Sequence, residues 1–188
     1  MNSENLKKCR FKTVDTPFLA LLMAVLVSFI VGCGSSPVDQ LITDASSGDP
    51  KKKHKALKGL EEYPELAAPA ITDIMNGLSH SDRDIRYRSA KLLSKMEGEA
   101  APAAEAMVAA WEKADEKTRY YMLKTFGNIE EAAAPAVPVL IESLRAEDPD
   151  CRYYAAKALG EIGPQASPAA KALQKASRDS EEKVREAA

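Results

Sequence analysis

Asp49, Asp82, Asp115, Asp148 and the acidic Glu181 each stand 33 residues from the next. Pro69, Pro102, Pro135 and Pro168 keep the same step, as do Lys53, Arg86, Arg119, Arg152 and Arg185, each four residues after its acid. Three independent columns in one register define a tandem array. A fixed period of this length confines the chain to a stacked-repeat architecture, because one unit cannot bury its own apolar face.

Each unit reads as two helices. The column acid sits where an N-cap is wanted, and in Asp49-Pro50 and Asp148-Pro149 a proline takes the first helical position. Apolar residues then recur at helical spacing, as in Met122, Leu123, Phe126 and Ile129, or Cys151, Ala155, Ala156, Leu159 and Ile162. Gly163-Pro164 ends the first helix of the fourth unit. The column prolines are expected to open the second helices, with Ser167 as a cap and Pro138 delaying or bending the third unit's. Trp111 shares a column with Leu78 and Leu144, and Cys151 with Ile85 and Val184, so both read as core.

No segment alternates apolar and polar residues over a strand length, so the expected fold is all-α. It is an α-solenoid of stacked antiparallel helix pairs at 49–81, 82–114, 115–147 and 148–180, with a partial cap at 181–188. Residues 37–48 supply an N-terminal capping helix.

The run Asp148-Pro149-Asp150-Cys151-Arg152, continuing to Leu159-Gly160-Glu161-Ile162-Gly163 and Ala166-Ser167-Pro168-Ala169, resembles HEAT repeats. The likeness is to the short HEAT-like variety of phycobilin lyases and many bacterial proteins. It implies the stacked-pair fold and leaves function open, since such arrays serve many ends. The first unit departs most, with Lys53 in the arginine column and Tyr63-Pro64 closing its first helix.

The amino terminus carries a different signal. Lys7, Lys8, Arg10 and Lys12 precede an apolar run from Phe18 to Val31, broken only by Ser28. Fourteen residues fall short of the roughly 20 a membrane span needs, and suit the core of an export signal. Ile30-Val31-Gly32-Cys33 follows, and resembles the lipobox of bacterial lipoproteins. The resemblance implies a cleavable signal helix at 1–32, a lipidated Cys33, and a short tether at 33–36. The chain would then be lipid-anchored to a bacterial membrane, facing periplasm or exterior, and Gly34 implies the outer membrane where the cell has two. The competing reading is an uncleaved signal anchor with Cys33 incidental.

Composition narrows the functions. A formal net charge of −2 argues against a nucleic-acid partner. The two histidines, His54 and His80, lack the following glutamate of helical di-iron pairs, and no phosphate loop, paired-cysteine motif or nucleophile elbow occurs. The expectation is a non-catalytic protein without cofactor or metal. It would be a membrane-anchored scaffold mediating interaction with a protein or peptide at the cell envelope. The alternatives are a lyase-type enzyme or chromophore-handling accessory, and an envelope structural protein without a specific ligand.

Two columns are candidates for that work. Arg86, Arg119 and Arg152 are expected to pair with Asp82, Asp115 and Asp148, of their own or a neighbouring unit, as a structural ladder. Tyr87, Tyr120 and Tyr153 each precede Lys91, Lys124 and Lys157 by one helical turn, with Tyr121 and Tyr154 beside them. That pattern reads either as a protein-binding Tyr/Lys stripe or as a solvated face copied by duplication. The second helices present a face that varies between units, including Asp73, Glu105, Glu142, Lys171 and Lys175.

Overall fold

The computed structural model describes residues 35–188, so the signal segment and Cys33 lie outside the described residues. The body from Pro37 to Ala188 is one compact unit. Helix α1 (Pro37–Ala45) precedes four helix pairs and a last helix, and no strand occurs among the described residues. The pairs are α2 (Pro50–Leu60) with α3 (Ile71–Gly77), α4 (Arg83–Lys95) with α5 (Ala104–Ala110), α6 (Glu116–Asn128) with α7 (Val137–Ser143), and α8 (Pro149–Ile162) with α9 (Ala170–Ala176). Helix α10 (Glu182–Ala187) follows.

First helices pack side by side in chain order, α2 on α4, α4 on α6, α6 on α8 and α8 on α10, which is the expected α-solenoid. The interior is continuous across the pairs. Leu57, Leu60, Leu92, Leu93, Phe126 and Leu140 are fully buried, each contributing about 1.5–3 kcal/mol relative to exposure. Trp111 and Cys151 are buried too, at 4% and 5% exposure. Trp111 packs its indole 6.4 Å from the Phe126 ring.

The column acids act as caps. Asp49 accepts from the Lys51 amide, Asp82 from Asp84, Asp115 from Thr118 and Asp148 from Asp150, at 2.8–3.0 Å. Glu181 stands at the same place before α10 without a side-chain cap bond, its longer arm not meeting the amides.

The column prolines require a correction. They do not open the second α-helices. Pro102, Pro135 and Pro168 sit inside 3-10 segments at Glu97–Ala103, Glu130–Ala136 and Gly163–Ala169, and Pro69 inside a shorter one at Ala68–Ala70. The α-helices begin two residues later, and Ser167 makes no cap bond. Proline fits either kind of start, since it has a helical φ and no amide to satisfy, and its presence alone does not distinguish them. Pro138 does not delay its helix. α7 begins at Val137, in the same column as Ile71, Ala104 and Ala170, with the proline absorbed in the first turn.

At the first residue of each of the three longer 3-10 segments the chain reverses with a positive φ. These are Glu97 (φ 50°), Glu130 (φ 51°) and Gly163 (φ 70°), all in one column. Glycine adopts this conformation without Cβ strain, whereas glutamate does not. Pro64 takes the column position in the first unit, where the route differs and Tyr63 is left 46% exposed. Glu130 is exposed, so Glu130→Gly is expected to raise stability by about 0.5–1 kcal/mol. A urea-unfolding midpoint equal to or below wild type would show that the turn is unstrained.

Candidate functional site

The first-helix face carries the tyrosines. Tyr87 meets Tyr121 edge-on at 5.5 Å between ring centroids, Tyr121 meets Tyr120 at 5.2 Å, Tyr120 meets Tyr154 at 5.3 Å, and Tyr154 meets Tyr153 at 5.0 Å. Five rings thus form an unbroken zigzag across α4, α6 and α8. Edge-to-face pairs of this kind add about 0.5–1.5 kcal/mol each beyond area burial. All five rings are half-buried. The Tyr87–Tyr121 and Tyr120–Tyr154 contacts join neighbouring units, and part of each residue remains open on the surface. Burial also pushes the Tyr121 phenol above its ordinary pKa, with Tyr87 adding to the effect.

The three stripe lysines do not share one environment. Lys157 is exposed and Lys124 half-buried. Lys91 is bound to Glu61 at 2.8 Å and lies over the Tyr87 ring. Glu61, at 4% exposure, also receives Arg88 at 2.9 Å, and Lys95 Nζ donates to its backbone carbonyl at 2.8 Å. Its hydrogen bond holds the Lys91 ammonium above its ordinary pKa. A buried carboxylate held by two cations is a structural joint between the first two units. The sequence columns gave no warning of it. Glu61 shares its column with Ser94, Gly127 and Gly160, and Arg88 shares its own with Lys55, Tyr121 and Tyr154. Glu61 is the one acid of its column, and Arg88 in the next unit stands where the third and fourth units have tyrosine.

The expected acid–arginine ladder is corrected by the geometry. Arg86 Nη1 donates to the carbonyls of His80 and Ser81 at 2.8 and 2.9 Å. Arg152 does the same to Ala146 and Glu147, and Arg185 to Asp179 and Ser180. The three guanidiniums clamp the last two residues of the preceding unit, whose carbonyls have no helical partner. Asp82 and Asp148 meanwhile face the amides of their own helices. Arg119 departs from the pattern, donating Nε to the Trp111 carbonyl at 3.1 Å with its guanidinium 5.2 Å from the indole centroid. Other cations than the column arginines make ion pairs between units, Arg83 to the column acid Asp115 and Lys183 to Asp150. Only in the fourth unit does a column arginine gain a carboxylate. Arg152 binds Asp179 through two bonds, at 2.8 and 2.9 Å, with both side chains largely buried. This pairing, helped by the Glu181 amide, draws Asp179 down to about 2.

Cys151 is a free, buried thiol that burial and nearby Asp148 push up to about 12, so it packs as a small hydrophobe. Among the described residues no cluster of three or more His, Cys, Asp or Glu side chains could hold a metal ion. No described helix is long and apolar enough to cross a membrane. Residues 104–188, from α5 onward, match the HEAT repeats family. Two crystal structures of engineered proteins are similar over most of the chain. One is 21% identical over 81% of this chain and 78% of that one, with a TM-score of 0.68. The other is 21% identical over 81% and 76%, with a TM-score of 0.65. The complex of CpcE and CpcF of phycocyanin lyase from Nostoc aligns over 83% of this chain and 76% of that one at 17% identity, and its TM-score of 0.43 is too low to bear on the argument. No curated protein sequence matches the chain. The packing above and the engineered structures establish an α-solenoid, and the family match places HEAT repeats in it over residues 104–188.

Two outcomes follow for the arginines. Arg86→Lys keeps the charge but loses the fork that reaches two carbonyls, and is expected to lower unfolding free energy by about 1–2 kcal/mol; an unchanged urea midpoint would dismiss the clamp. Because the Asp179 pKa is lowered on folding, the pair's stabilisation is fully present above the ordinary aspartate range and is lost as pH falls towards 2. Asp179→Asn should therefore cost about 1 kcal/mol at neutral pH. It should also flatten the midpoint-against-pH curve between about pH 4 and pH 2, whereas a parallel curve would show the pair contributes nothing.

Proposed function

We propose that this chain is a non-catalytic scaffold tethered by lipid to a bacterial envelope membrane, where its helix-pair array holds a protein or peptide partner. The observation that carries the reading is the zigzag of five half-open tyrosine rings on the first-helix face, flanked by Lys124 and Lys157. Tyrosine offers large, stiff, amphipathic area at small entropic cost, and a rigid backing of packed helices keeps the rings oriented before a partner arrives. The tether rests on the Ile30-Val31-Gly32-Cys33 motif after the apolar run. Two or three acyl chains make such an anchor durable where one does not. On this reading the protein faces the periplasm or exterior, at the outer membrane in a cell with two.

The test has two arms in cells expressing the full chain. Palmitate labelling is expected for wild type and lost in Cys33→Ser, and equal labelling would remove the tether. Crosslinking in the native envelope is expected to yield a recurrent partner that disappears in Tyr120→Ala/Lys124→Glu. Retention of that partner would remove the tyrosine row from the binding surface.

A further inference from the structure

The second-helix face changes sign along the array. Helices α3, α5 and α7 each carry one acidic residue and no basic one: Asp73, Glu105 and Glu142. Helix α9 carries Lys171 and Lys175 and no acid. Between α7 and α9 lies a groove of about 960 Å³. Its apolar side is Ile141, Leu144, Ala172 and Ala176. Around it stand Arg145, Lys171, Lys175 and Arg178, all exposed and none with an ion-pair or hydrogen-bond partner for its side-chain cation among the described residues. The remaining charges there, Arg152 and Asp179, neutralise each other in the two-bond pair already described.

Four unpaired cations around one apolar groove form a concentrated positive field on a second-helix face that is acidic in the three preceding units. We propose that this groove binds an acidic peptide segment of a partner protein, with carboxylates on the four cations and apolar side chains between them against Ile141 and Ala172. Lys171 and Lys175 lie one helical turn apart, and Arg145 and Arg178 occupy one column of adjacent units. The cations therefore border the groove both along α9 and from one unit to the next, and an extended chain with acids at intervals can meet them on either side. Nucleic acid fits less well, because none of the residues lining the groove is aromatic and bases would find nothing to stack on. An anionic lipid surface would leave the apolar strip without a matching group. The proposal deepens the scaffold reading by giving the partner's chemistry, and depends neither on the lipid tether nor on the tyrosine row.

The test uses the detergent-solubilised full chain and three fluorescein-labelled decapeptides, alternating leucine and serine with glutamate, glutamine or lysine at every second position. Fluorescence anisotropy is expected to show saturable binding of the glutamate peptide only, weakening as salt rises from about 50 to about 300 mM. Lys171→Glu/Lys175→Glu is expected to weaken it at least about tenfold, and Lys175→Gln alone about threefold. Tyr120→Ala/Lys124→Glu is expected to leave it unchanged. Equal binding of the glutamine peptide, or binding indifferent to the lysine substitutions, would overturn the proposal. So would tighter, lysine-dependent binding of oligothymidine or phosphatidylglycerol vesicles. Retention of the crosslinked partner in the tyrosine variant with peptide binding intact would count against the tyrosine row alone.

Discussion

Each helix pair in this chain leaves an apolar face that only the next pair can cover. Phe126, Leu92, Leu93 and Leu123 are fully buried because α4, α6 and α8 lie flank to flank. Everything else observed, caps, clamps and rings, serves to hold that stacking in phase. In an architecture of this kind cooperativity comes from the seams between pairs, so the seams are where sequence changes have their largest effect.

Register between pairs is fixed by polar contacts of two sorts. The arginine forks hold the loops that enter the second and fourth units and the last helix. At the far end of the first helices, Lys95 bonds the Glu61 carbonyl and Asn128 bonds the Ser94 carbonyl, both 34 residues back. Glu161 occupies the same column in the fourth unit and has no proton to give. There the Arg152 fork still holds the preceding loop, and the Arg152–Asp179 pair ties the start of α8 to the end of its own unit. The apolar core sets how close the helices come, and these bonds set how they slide.

The period made most of the fold legible. The caps, the helix pairs and the burial of Trp111 and Cys151 follow from columns and helical spacing. Two features did not follow. The 3-10 segments were hidden because a proline before a helix looks the same whether it opens an α turn or ends a tighter one. The arginine clamps were hidden because their acceptors are backbone carbonyls, which every residue possesses and no sequence column marks. The tyrosine column was visible, but its zigzag depends on Tyr121 and Tyr154 reaching across to the neighbouring unit, and that contact is a property of the stacked pairs. The joint at Glu61 lay in exceptions to the period, where a reading by columns looks least.

That joint has a further consequence. The units are copies in shape yet not interchangeable in order. Glu61 is matched to Arg88 and Lys91, and Gly77 leaves room for Ser89, whose hydroxyl would stand 2.1 Å from a Cβ added there. An in-frame loss of residues 82–114 would preserve the period and set Glu61 against Tyr121 in place of Arg88, leaving Lys124 in the Lys91 position as the one cation for a buried carboxylate that now has two. Genetic recombination between such similar segments is easy to imagine, but these seam-specific matches make the present sequence of units the one that can be inherited intact.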